Sequence, residues 1–182
     1  MPRLLVLLGG IASGKTAAAL RAVERGRGAG LEVWGVAAPR VCQGALTVGY
    51  RGVLLGVGET LPLVYRRGHQ PPGEWIPLRG PYLYNPQGFQ RANQHLFEAS
   101  RRQGPNTLTV VDEYGHLEEE GLGLAPGLRK ALGNPAPGSR LLVTCRAERL
   151  QGLLSSLPPG WRVSTVEVGD LQELARAMDS FI

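Results

Sequence analysis

The sequence predicts an α/β fold: a three-layer sandwich in which a mainly parallel sheet is covered by helices on both faces and extended by an antiparallel meander. Three observations predict it. Residues 4–8 are a short continuous apolar run, the pattern of a strand buried on both faces, 31–37 read as a second strand, and 108–111 and 140–145 read as further buried strands. Helix-favouring stretches fall between most of them, the arrangement that joins parallel strands. From residue 45 to residue 65, Val, Leu and Tyr are separated by glycines around a Gly58-Glu59-Thr60 turn, which suits short antiparallel strands.

Residues 4–8 form the first predicted strand and run straight into Gly9-Gly10. This opening is too short for a signal peptide and lacks an A-x-A-like cleavage site. Residues 16–25 are alanine-rich and favour a helix, which Gly26, Gly28 and Gly30 end. Asn85 suits an N-cap and Pro86 the first helical position. Phe89, Ala92, Leu96 and Ala99 then fall on one helical face, and the helix stops by Gly104-Pro105. Further helices are predicted at 126–132 and from the end of the fourth strand to about residue 157, and a strand at 161–168. Asp170 caps a last helix, with Leu171, Leu174 and Met178 expected on its inner face.

Composition limits the function classes. A chain of 182 residues suits a single domain over 1–182, and 43% hydrophobic residues can form a sizeable core. No apolar run approaches the ~18–20 residues that cross a bilayer, so no membrane partner is expected. Cys42 and Cys145 lie far apart and read as reduced thiols of a cytoplasmic protein. The net charge of +5 is almost entirely arginine, scattered apart from Arg66-Arg67 and Arg101-Arg102. A charge this modest does not argue for nucleic acid. Pro71-Pro72-Gly73 and residues 134–138 read as loops.

The chemistry is concentrated in two motifs. Gly9, Gly10, Ile11, Ala12, Ser13, Gly14, Lys15 and Thr16 fit G-x-x-x-x-G-K-[ST], with a strand before and a helix after. A loop that wraps phosphates must turn successive N–H groups inward, and glycines permit that path. The helix adds its positive N-terminal end. Lys15 would bridge the β- and γ-phosphates, and the Thr16 hydroxyl would bind Mg²⁺. With 26 glycines in the chain, glycine alone is weak evidence. Lysine discriminates, because it occurs only at Lys15 and Lys130.

The second motif is the apolar strand ending at Asp112-Glu113, a Walker B pattern. Asp112 would hold the Mg²⁺ shell, and Glu113 could orient or deprotonate an attacking water. Carboxyl ends of strands are where open α/β sheets bind ligands. The separation of the two motifs, with glutamate directly after aspartate, favours a RecA-like P-loop layout over a nucleotide-kinase layout. Arg66, Arg67 and Arg79 nevertheless leave a kinase-type lid open.

Val111-Asp112-Glu113-Tyr114-Gly115-His116-Leu117-Glu118 resembles a segment of the small nucleoside-triphosphatases, the family of the thermophile enzymes and the animal cancer-related nucleoside-triphosphatase. Their second motif runs into D-E-[apolar]-G-x-[apolar]-E, with Tyr114 here at the apolar place. Arg40, Gly44 and Gly49-Tyr50 match a middle segment of the family, and residues 82–89 match its aromatic approach to the middle helix. The resemblance implies Mg²⁺-dependent hydrolysis of ATP, GTP and similar triphosphates with low base selectivity. The chain departs from the pattern at Pro39, at Leu46-Thr47, where the family has an arginine, and at Ala12-Ser13, where glycine is common.

An arginine is expected to meet charge on the γ-phosphate. Arg40 and Arg146 are the candidates in this chain; a partner protein or a second copy of the chain is the other source. His116, a lone histidine, reads as a hydrogen-bonded structural residue, and His69 and His95 show no metal-ligand spacing with it. Residues 118–120 read as a solvated acidic turn. Trp34, Trp75 and Trp161 read as core or half-buried, with Trp75 a candidate to stack on a base. Two other functions compete with the hydrolase: a phosphoryl or adenosyl transferase, and a slow nucleotide switch that serves a partner.

Overall fold

β1 (Arg3–Leu8) shows why the chain forms layers. Leu4, Val6 and Leu8 lie in one buried cluster, and Leu5 and Leu7 lie in another on the opposite face of the sheet. A strand's side chains alternate between faces, so a run apolar at every position must be covered twice. Each fully buried Leu or Val contributes about 1.5–3 kcal/mol relative to exposure. The computed structural model describes residues 1–133 and 135–182; residue 134, the first of the predicted loop at 134–138, lies outside the described residues.

The chain continues with α1 (Lys15–Gly28), β2 (Glu32–Ala37), β3 (Arg40–Gln43), β4 (Leu46–Leu55) and β5 (Thr60–Arg66). Then come β6 (Ile76–Pro77), β7 (Tyr82–Tyr84), α2 (Pro86–Arg101), β8 (Thr107–Tyr114), α3 (His116–Glu119) and α4 (Ala125–Gly133). β9 (Arg140–Cys145), a 3₁₀ turn, α5 (Leu150–Ser155), β10 (Arg162–Glu167) and α6 (Leu171–Phe181) complete it. The strands lie in the order β10-β1-β9-β8-β2-β4-β5-β7-β6, with β3 also paired to β4. From β10 to β2 every pairing is parallel. From β2 outward every pairing is antiparallel. The expected parallel core and antiparallel extension are both present. α1 and α6 contribute the buried residues of one face, and α2, α4 and α5 those of the other.

Several expectations need correction. The meander is wider than residues 45–65: it starts at Arg40 and ends at Tyr84. The added strands are two to four residues long, and their partners rather than their own patterns define them. The helix expected to reach residue 157 is a 3₁₀ turn followed by the short α5. Leu171 is 70% exposed, not internal, because it opens the first turn of α6; Leu174, Met178 and Phe181 form the buried face. The caps agree with the sequence. Asn85 Oδ1 accepts from Gly88 N at 2.5 Å, and Asp170 Oδ1 accepts from Glu173 N at 2.9 Å.

Candidate active site

The loop between β1 and α1 is shaped by its small residues. Gly14 has φ 92° and Ala12 φ 58°, both left-handed, and Gly14 is the N-cap of α1. A Cβ at Gly9 would meet Ser13 Oγ at 2.3 Å and Val168 Cγ2 at 2.9 Å, so the first glycine lets the loop close against the residue that follows β10. Lys15 Nζ donates to the carbonyls of Gly9 at 2.8 Å and Gly10 at 2.6 Å, which holds the ammonium over the loop. Burial lowers the Lys15 pKa; the Glu113 carboxylate opposes that shift, and the Arg146 guanidinium adds to it.

β8 delivers the acidic pair through a β-bulge. Val111 pairs with Val143 and Tyr114 with Cys145, so Asp112 and Glu113 together oppose the single residue Thr144. A bulge of this kind re-aims a side chain at a strand end. Asp112 is 2% exposed and fixed from two sides: Oδ2 accepts from Ala38 N at 2.9 Å, and Oδ1 from the Thr144 hydroxyl at 2.7 Å. The same hydroxyl oxygen accepts from Glu113 N at 2.8 Å. Glu113 has φ 94°, strained for a residue with a side chain. Its side chain reaches solvent, but the walls around it displace much of its hydration. That desolvation raises its pKa, Asp112 raises it further, and Arg146 and Lys15 pull it down.

Next to Glu113 lies a chamber of about 340 Å³. Ile11 of the loop, Asp112, Glu113 and Arg146 line it at the strand ends. Tyr50, Leu63, Tyr82 and Phe89 line it from the antiparallel extension and α2. Arg146 is thus beside Glu113. Arg40 is exposed at the start of β3, opposite Tyr50, and does not line the chamber. Arg79 does line it, with Nη2 donating to Glu120 Oε1 at 3.1 Å.

Glu118 departs most from the sequence reading. It is 7% exposed rather than solvated, and its two carboxylate oxygens accept from Gly115 N and Leu124 N, at 2.9 and 2.8 Å. Burial raises its pKa to about 7 against the two backbone donors, with the Glu113 carboxylate adding to the rise. It ties the turn after Glu113 to the start of α4. His116 is also corrected: its Nε2 is buried with no hydrogen-bond partner among the described residues. Trp34 is in the core and Trp161 half-buried, its indole N–H donating to Leu132 O at 3.0 Å. Trp75 is engaged internally, edge-on to Tyr65 at 5.6 Å and donating to Pro71 O. Thr144 was missed by sequence reasoning, since a threonine in an apolar strand signals only β-propensity.

Thr16 and Asp112 offer a hydroxyl and a carboxylate, hard oxygen donors of the kind Mg²⁺ takes alongside substrate phosphates and water. Thr16 Oγ1 makes no hydrogen bond among the described residues, which suits a ligand role. The Ala38 N–H and the Thr144 hydroxyl hold the Asp112 carboxylate in one orientation.

Parallel core, phosphate loop and acidic strand end together define a P-loop nucleoside triphosphatase fold. The family model described as NTPase matches residues 4–175, and the chain belongs to that family. Nucleoside triphosphate is therefore its substrate class. Among solved structures, a human cancer-related nucleoside triphosphatase is similar at 24% identity and TM-score 0.73, covering 98% of this chain and 96% of the other. THEP1 from the hyperthermophile Aquifex aeolicus is similar at 19% identity and TM-score 0.72, covering 100% and 99%. At these identities the likeness is one of fold. A search of curated proteins finds no match. No helix of the described residues is long and apolar enough to cross a membrane.

Proposed function

We propose that the chain is a Mg²⁺-dependent phosphohydrolase that converts ATP, GTP and similar triphosphates to the diphosphate and phosphate, with little base selectivity. The observation that carries this reading is the bulge that presents Glu113 beside Asp112, with Lys15 and Arg146 close enough to shift its pKa. The backbone N–H groups of Gly9, Gly10, Ile11, Ala12, Ser13, Gly14, Lys15 and Thr16 would cradle the phosphates. Lys15 would hold the β- and γ-phosphates.

Thr16 and Asp112 would hold Mg²⁺, whose charge neutralises the phosphate oxygens when bound. Glu113 would orient a water in line with the γ-phosphorus and take its proton. The raised pKa of Glu113 makes it a better proton acceptor than an exposed carboxylate. Arg146 is the better-placed of the two candidate arginines to meet charge developing on the transferred group. Low base selectivity agrees with Trp75 being engaged by Tyr65 and Pro71 rather than free to stack. Cys42 and Cys145 are unpaired thiols, in keeping with action in the cytoplasm.

The test is phosphate release from ATP, GTP, CTP and UTP with Mg²⁺ and no other acceptor, repeated with chelator. Release from all four that stops with chelator supports the reading. Nucleotide binding without release in any of them overturns it.

A further inference from the structure

Hydrolysis needs one water at Glu113, which occupies about 30 Å³. The chamber beside Glu113 is about ten times larger at 340 Å³, and its lining combines aromatic and aliphatic side chains with a few charged groups. Asp112, Glu113 and Arg146 come from the strand ends that face the phosphate loop. The remaining walls carry the rings of Tyr50, Tyr82 and Phe89 with Leu63 and Leu78, contributed by β4, β5, β7, α2 and the β6–β7 connection, and Arg79, His116 and Glu118 add polar groups among them. Ligand sites are chambers of this kind, apolar and aromatic with a few convergent polar groups. With Lys15 holding the β- and γ-phosphates as proposed above, the space beyond Glu113 would lie past the γ-phosphate, on the side away from the nucleoside.

We propose that this chamber binds a second substrate, a compact aromatic molecule carrying one hydroxyl, which takes the place of water as the acceptor of the γ-phosphoryl group. The proposal rests on the nucleotide site of the previous subsection. The aromatic body packs against Tyr50, Tyr82 and Phe89, where rings gain from offset and edge contacts. The hydroxyl reaches Glu113. Its oxygen forms a new bond to the γ-phosphorus as the bond from that phosphorus to the β,γ-bridging oxygen breaks. The hydroxyl proton passes to the Glu113 carboxylate and then to solvent, and the nucleoside diphosphate leaves with the electron pair. The products are a phosphate monoester and the diphosphate. With no alcohol bound, water enters and the reaction is hydrolysis.

The experiment uses γ-labelled ATP with Mg²⁺ and either 2-phenylethanol or ethanol at equal concentration, and measures labelled ester against labelled free phosphate. Burial of the ring predicts an ester-to-phosphate ratio at least about tenfold higher for 2-phenylethanol than for ethanol. Leu78→Trp fills the apolar end and is expected to lower that ratio about tenfold, whatever it does to total turnover. No ester, or equal ratios for the two alcohols, overturns the chamber as an acceptor site. A reaction without alcohol reports separately on hydrolysis. Ester formed while that control releases no phosphate upholds the chamber and removes the hydrolase reading. Phosphate released in the control with no ester does the reverse.

Discussion

Removing the Thr144 hydroxyl while keeping its shape should disable Glu113, if it acts as proposed, without touching the loop at residues 9–16. In Thr144→Val the side chain keeps its volume but loses both of its hydrogen bonds. The bond to the ionised Asp112 at 2.7 Å is of the charged class, about 1.5–3 kcal/mol, and the bond from Glu113 N at 2.8 Å contributes about 1 kcal/mol. Stability should therefore fall by about 2.5–4 kcal/mol. The loss is local to a strained residue. Glu113 holds φ 94°, at a strain cost of about 1–3 kcal/mol, only while its N–H is anchored. Freed, the bulge relaxes and the carboxylate moves by the order of 1 Å, a displacement that costs about 100-fold in rate when a catalytic group is misplaced. The assay pairs denaturant unfolding with steady-state phosphate release. kcat should fall about 100-fold with KM for nucleotide within about threefold, and Thr144→Ser, which retains the hydroxyl, should keep kcat within about threefold of wild type. Equal kcat in Thr144→Val and Thr144→Ser, with less than about 0.5 kcal/mol lost, would refute the anchoring argument.

The remaining expectations concern other parts of the site. Gly9→Ala forces the loop off Ser13 and Val168, so nucleotide affinity measured by titration should drop at least about tenfold, with the fold retained by circular dichroism. Arg146→Ala should lower kcat about 100-fold and Arg40→Ala by less than about threefold; the reverse order would move the transition-state contact to Arg40. Glu118 titrates near 7 in the fold against about 4.5 unfolded, so the native state binds its proton more tightly. Its favourable contribution is complete below pH 4.5 and is lost as pH rises through 7. Relative to Glu118→Gln, wild-type stability should fall by about 3 kcal/mol between pH 4.5 and 8, and a flat difference would mean that burial does not govern this group.

What was legible follows the range of the physics. The strand–loop–helix geometry at the proposed phosphate loop was readable because its requirements are local: small residues at Gly9 and Gly14 and a lysine at the start of a helix. The placement of Asp112 and Glu113 near the carboxyl end of β8 was readable from an apolar strand that runs into two carboxylates. Thr144 was not, because its role exists only once β9 lies beside β8 with two residues opposing one. Glu118 sits in a run of three glutamates that looks solvated; only the folded turn brings Gly115 and Leu124 N–H groups to it. β6 and β7 are too short to carry a periodicity of their own. The chamber draws its walls from strands, helix and loops remote in sequence, so no local pattern announced it.

The most direct test of the central claim is phosphate release by Glu113→Gln alongside its affinity for nucleotide. The account predicts that turnover falls at least about 100-fold while nucleotide binds within about threefold of wild type, because glutamine keeps the shape but cannot accept the proton. Wild-type turnover in Glu113→Gln would contradict it, and would place the water-activating group elsewhere than at the bulge of β8.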